Sequence, residues 1–291
     1  MIEFRELIQA GLHFGHQKSR WCPKMAPYIW GHRNGVHLID VSKIAFNLEK
    51  AANFLDTVAA KGETILWVGT KKSAKTMIES IGQNLNMPYV SHRWLGGTIT
   101  NFYQVKKAVT KYLYLEDVIK KSSESAYTKK ECVTFQKAAD RLKKTVGGLI
   151  DLKMPIGAIV LIDVRKESTA LQEAIAAGVP VVALVDSNAN PDGIDFVIPG
   201  NDDSPKAIKL ILDYLAAGAA RGLDKKNLQD EAEAIAQASD LAAKKSSQAK
   251  NAKGHPVAGK KPVNAFEQKL AIAEKQEELA KALAEELESE K

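Results

Sequence analysis

The feature that most constrains the fold is a set of short, almost wholly apolar runs spaced along the chain. They are Thr64–Val68 (TILWV), Ala158–Ile162 (AIVLI), Val181–Val185 (VVALV) and the briefer Phe196–Ile198. Each is too short for a core helix, and amphipathic helical patterns follow the first, second and fourth: one to about Leu85, one over Ser168–Ala177, and one from Ser204–Pro205 to about Ala220. Tyr89–Val90 adds a fifth short run. Strands with no polar face need cover on both sides, and a helix between successive strands makes them parallel. The prediction is an α/β fold: a doubly wound, mainly parallel five-stranded sheet of the Rossmann or flavodoxin kind.

Two stretches depart from this alternation. Between the second and third strands, Phe102, Val105, Val109, Tyr112 and Ile119 mark one helix, with Glu116 interrupting its seam. Cys132, Phe135, Ala139, Leu142, Val146 and Leu149 mark the next, and Ser122–Thr128 links them. Such spacing predicts an inserted, projecting antiparallel coiled-coil hairpin with a lysine-rich outer face. After Leu223 the composition turns to Ala, Lys, Gln, Ser and Glu; residues 239–263 read as disordered, and Phe266–Glu290 as an isolated helix. The expected division is therefore a core of residues 1–101 and 151–223, a hairpin of 102–150 and a charged extension of 224–291.

Before the first strand, residues 3–10 read as a short helix and residues 12–37 as a basic, aromatic loop. That loop contains a hairpin, Tyr28–Trp30 against Val36–Ile39, turning through Gly31 to Gly35. Asp40 caps a helix running to Gly62.

Charge is unevenly spread. Residues 1–150 hold 23 Lys+Arg against 12 Asp+Glu, whereas residues 151–223 hold 6 against 10. This polarity predicts one face for a polyanion and another for protein or solvent. Two distant cysteines, Cys22 and Cys132, argue against a disulfide framework, and no run reaches the ~18 apolar residues of a membrane span. A cytoplasmic protein is expected.

The stretch Met87–Tyr103 (MPYVSHRWLGGTITNFY) concentrates the chemistry: strand, His92–Arg93–Trp94, a glycine pair, then a helix opening at about Phe102. Arg93 supplies an ion-pairing fork and Trp94 a stacking plane, the alternative being a loop whose Trp covers a core edge. Lys18, Arg20, Trp21, Lys24 and Arg33 in the N-terminal loop repeat this chemistry. So do Lys71, Lys72 and Lys75 after the first strand, with His92, Asn101, Lys106 and Lys107. Cations for phosphates with flat rings for unpaired bases predict an RNA interface.

Rival chemistries are weaker. Neither G-x-G-x-x-G nor G-x-x-x-x-G-K-[ST] occurs. Gly69–Ser73 ends a strand and opens a helix, so it fits a phosphorylated metabolite or an RNA phosphate, with Asp186, Asp192 or Asp195 as a base in the enzymatic version. Turn chemistry accounts for those acids better, and none of them pairs with an obvious nucleophile. His13, His16, Cys22, His32 and His37 crowd one stretch but match no closed metal pattern. A scaffold binding only protein leaves the basic half unexplained.

Four segments, AGLHFGHQKSRWCPKMAPYIWGHRNGVHLID, WVGTKK, HRWLGGTITNF and VDSNANPDGIDFVIPGNDD, together resemble the bacterial small-subunit ribosomal protein two family over about residues 1–222. The resemblance implies a structural, non-enzymatic protein that holds ribosomal RNA at the junction of head and body. It implies neighbouring ribosomal proteins as partners, including docking of the large ribosomal protein one. It implies no cofactor, metal, membrane or small-molecule substrate.

Overall fold

The computed structural model describes residues 3–121 and 127–251. Two compact units divide the chain, Met1–Glu233 and Ala234–Lys291. The second is described only as helical backbone, to Asn251. The expected helix at Phe266–Glu290 and most of the hairpin link lie outside the described residues. Of the stretch 239–263 read as disordered, 239–251 is α-helix.

The first unit opens with α1 (Phe4–Gln9) and β1 (Phe14–Gln17). Next come β2 (Ile29–Arg33), β3 (Val36–Ile39) and α2 (Val41–Ala60). Asn34 and Gly35, at φ 52° and 76°, form the two-residue turn that matches strand twist, so β2 runs through Gly31 rather than breaking there. β1 pairs antiparallel with the far edge of β3, giving a three-stranded sheet where an open loop was expected. No alternation of apolar residues announces β1, whose side chains are all half-buried or exposed. The Asp40 side chain accepts from the Ser42 N–H at 3.0 Å, capping α2 as its position predicts.

The parallel sheet comprises β4 (Thr64–Val68), β5 (Tyr89–Val90), β6 (Ile156–Ile162), β7 (Val181–Val185) and β8 (Phe196–Pro199), in the order β5-β4-β6-β7-β8. All four pairings are parallel. Around them lie α3 (Lys75–Asn84), α6 (Ser168–Ala177) and α7 (Pro205–Asn251). Successive strand residues point to opposite faces. Thus Ile65, Trp67, Val160, Ile162, Val182 and Leu184 join residues of α2, α3 and α7 in one core. Leu66, Val68, Ile159, Leu161, Val181 and Ala183 join α6 in the other.

The insertion is α4 (Phe102–Lys120) and α5 (Lys129–Val146). Val109 and Tyr112, early in α4, share a cluster with Leu142 and Val146, late in α5, so the helices run antiparallel. Thr128 and Glu131 form a reciprocal capping box at the start of α5.

Candidate nucleic-acid interface

The loop between β5 and α4 has no regular structure, yet a single carboxylate orders it. Glu173, on the inward side of α6, is buried. Its Oε1 accepts from the Trp94 indole N–H at 3.0 Å and the Gly97 N–H at 2.8 Å; Oε2 accepts from the Ile99 N–H at 3.1 Å. Longer bonds come from Thr100 N and Oγ1. Burial alone raises a carboxyl pKa, but these donors outweigh it and hold Glu173 below the ordinary value. The residue is a negative charge set inside a ring of N–H groups. Sequence reasoning missed it, because one Glu within the apolar stretch LQEAIAA reads as a helix-surface residue; its departure from the polar face was the available signal.

This geometry corrects the role expected of Trp94. The indole is only 8% exposed and packs in the core with Met25, Val90 and Leu149, so its face is not free to stack on a base. Trp21 is half-buried against His37, the ring centroids 5.1 Å apart. The fully presented indole is instead Trp30 in β2, 77% exposed. The sequence places Trp30 on a hairpin arm, but which side of that arm faces solvent is set only by docking of the small sheet.

Lys71 is the second correction. Its ammonium lies 2.6 Å from Asp203, 2.8 Å from Asp202 and 3.5 Å from Asp163, at the carboxyl ends of β4, β6 and β8. Burial favours the neutral amine, but hydrogen bonds to Asp202 and Asp203 and the charge of Asp163 prevail, so the pKa is raised and Lys71 stays charged. Asp202 is driven the other way: burial, helped by Asp163 and Asp186, pushes it up to about 6 against the pull of Lys71. The Lys71 hydrogen bond holds Asp203 below the usual carboxylate range. A cation so surrounded is already neutralised and is not offered to an external phosphate.

The same neighbourhood removes the phosphate-metabolite reading. Glu167, buried behind the turn, accepts from the Thr70 hydroxyl and from the Thr70 N–H at 3.3 Å, so a carboxylate occupies the place an anion would take. The three acids considered as bases are engaged structurally. Asp186 accepts from His16 at 2.9 Å and from the Ser187 N–H; Asp195 accepts from the Val181 N–H at 2.8 Å. Asp192 sits in a turn in which its own N–H donates to Asn190 at 3.2 Å, and it pairs with Lys24.

The metal-capable stretch is dispersed. His16 bonds Asp186 and approaches Asp203 at 3.4 Å, His13 lies against Phe14, and His37 is buried behind Trp21. His32 is exposed, and Cys22 donates its backbone N–H to Ser187 O at 2.7 Å. Among the described residues, no group of three or more His, Cys, Asp and Glu is placed to hold a metal ion.

The remaining expected cations reach solvent. Lys18, Arg20, Lys24 and Arg33 are exposed around the small sheet; Lys72, His92 and Arg93 are exposed beyond the carboxyl ends of β4 and β5; Asn101, Lys106 and Lys107 are exposed at the start of α4. Half-buried Lys75 donates to His92 Nδ1 at 3.1 Å, joining the β4 turn to the β5 loop. His92 also lines a cleft of about 370 Å³ with Lys143 and Lys144 from the hairpin's base. The structure thus groups the β4 turn, the β5 loop and the hairpin base, while Lys18, Arg20 and Arg33 belong to the separate small sheet.

The chain is similar in sequence to known ribosomal proteins. The family model described as Ribosomal protein S2 matches residues 7–222. A small ribosomal subunit protein uS2 of Geotalea uraniireducens (strain Rf4) is 43% identical over 228 residues, covering 78% of this chain and 89% of that protein. One from Amoebophilus asiaticus (strain 5a2) is 40% identical over 230 residues, covering 79% and 74%.

Proposed function

Because the chain belongs to the ribosomal protein S2 family, we propose that it works by holding ribosomal RNA at the head–body junction of the small ribosomal subunit. It is a structural component of that subunit and not an enzyme. RNA binding is assigned to the exposed cations of the β4 turn and the β5 loop, Lys72, His92 and Arg93, with Lys75, Asn101, Lys106 and Lys107 alongside. The exposed Lys18, Arg20, Lys24 and Arg33 of the small sheet form a second contact. The observation that carries the reading is the fixed loop: Glu173 clamps residues 94–100, so Arg93 projects from an ordered support rather than a loose one. A preformed fork loses less freedom on meeting a phosphate. The more acidic stretch, residues 151–223, suits protein neighbours, and docking of ribosomal protein one is the finer part of the proposal, drawn from the family resemblance.

The test is Lys72→Ala with Arg93→Ala in the full chain. Both side chains are exposed, so the thermal unfolding curve stays within about 0.5 kcal/mol of the parent. Affinity for small-subunit ribosomal RNA falls, and the slope of log K against log salt drops by roughly two phosphates. Unchanged affinity and incorporation into subunits in that variant removes this assignment.

A further inference from the structure

On the same RNA-binding reading, we propose that the outward face of α4, from Tyr103 to Tyr114, holds an unpaired RNA segment by stacking bases on its two tyrosines. α4 buries Val105, Val109, Tyr112 and Leu115, and helical geometry turns Tyr103, Lys107, Thr110 and Tyr114 to the opposite side. With Lys106 and Lys111 they line an open groove of about 630 Å³.

Tyrosine in a helix normally covers a core edge. Here Tyr103 is 67% and Tyr114 63% exposed. Eleven positions apart, they lie ~16 Å from each other along the axis. Lys107 already sits over the Tyr103 ring, its Nζ 4.5 Å from the centroid. Among the described residues no acid lines the groove. Glu116 and Asp117 lie beyond it, each facing a lysine one turn on, Lys120 and Lys121. Among the described residues none of these three ammonium groups has an acidic partner, and set between two flat rings they select a polyanion that carries flat groups of its own.

An unpaired strand meets both requirements, with phosphates on the lysines and base faces on the rings. In duplex RNA the base faces are stacked on one another, leaving the tyrosines without a partner. An acidic peptide would answer the lysines alone. Continuity argues the same way, since the ridge begins two residues after Asn101, at the end of the loop that Glu173 holds.

The experiment compares three full-length variants with the parent: Tyr103→Leu/Tyr114→Leu, which retains helix propensity; Lys106→Gln/Lys107→Gln/Lys111→Gln; and Lys72→Ala/Arg93→Ala. The probes are a short polyadenylate strand, an RNA duplex of equal length, small-subunit ribosomal RNA and polyglutamate. Expected for the tyrosine variant is a loss of about tenfold or more on the single strand, an unchanged salt slope and unchanged duplex affinity. For the lysine variant the salt slope drops by about three. Parental affinity of the tyrosine variant for the single strand overturns the proposal, as does a loss confined to polyglutamate, which would make the ridge a protein site. If only the Lys72/Arg93 variant weakens ribosomal RNA binding, RNA recognition stands without the ridge. If even the parent binds none of the RNAs, the broader reading falls, and this proposal with it.

Discussion

Glu173 reaches out of α6 into a loop that has no backbone ladder of its own, and five donors converge on its two oxygens. In Glu173→Gln one oxygen becomes an amide nitrogen, which faces N–H groups and cannot accept from them. At least one donor pair is then stranded, at about 1–3 kcal/mol for each unsatisfied group. Glu173→Gln is therefore expected to lower stability by roughly 2–4 kcal/mol, read as the urea midpoint, with Trp94 fluorescence shifting as its N–H loses the acceptor. The carboxyl pKa is depressed, so its contribution is present above the unfolded value and is lost as pH falls through the folded one. Parental stability should accordingly decline below about pH 4 more steeply than that of the Gln variant. This residue carried almost no signal in the sequence, whereas Arg93, which projects from the loop it orders, stood out there as an expected RNA contact.

Between elements, the close approach of α2 and α7 depends on two glycines one turn apart. A Cβ at Gly218 would meet the Ala52 carbonyl oxygen at 2.7 Å, and one at Gly222 the Asp56 carbonyl oxygen at 2.3 Å. Both neighbours are backbone atoms of α2, so the helices must separate to admit a methyl group. Gly222→Ala should cost about 1–3 kcal/mol through this separation, although alanine favours the helix itself. Gly147→Ala at the end of α5 meets only a lysine methylene at 3.4 Å and should leave the melting temperature nearly unchanged. Equal melting of the two variants would show that α7 is not seated through these glycines. The chain pattern places the end of this helix near Ala220, where its apolar stripe thins. In the structure the helix continues past that point, and α2 covers it as far as Gly222, a contact between segments far apart in sequence.

At the scale of the molecule, the small antiparallel sheet is docked on the carboxyl ends of the large parallel one. The His16 N–H donates to Ser187 Oγ at 2.7 Å, and the His16 ring to Asp186; Asn201 Nδ2 donates to Gly11 O at 3.2 Å. A Cβ at Gly15 would lie 2.7 Å from Ser187 Oγ, so β1 rests directly on the β7 end. The His16 pKa is raised, chiefly by the hydrogen bond to Asp186, against burial and with help from the charges of Asp186, Asp203 and Asp202. A raised histidine contributes fully below its unfolded pKa and loses that contribution as pH rises through the folded value. Stability should therefore fall as pH rises above about 6.5, and His16→Gln should flatten the profile there. A variant profile as steep as the parent's would place the titration elsewhere.

The sequence by itself determined the parallel core, because uninterrupted apolar strands have no solution other than cover on both faces, and Asp40 and the seam of α4 and α5 act through neighbours close in the chain. It also determined the family, since four motifs in fixed order carry that information together. Only tertiary structure decided which polar groups remain available: Trp94 and Arg93 are adjacent in the chain, yet one is sealed by Glu173 and the other left in water. Lys71 and Lys72 differ in the same way, because three strand ends bring Asp163, Asp202 and Asp203 around the first alone. Residue type states what a side chain is able to bind, and the fold, by supplying or withholding an internal partner, decides whether it is free to do so.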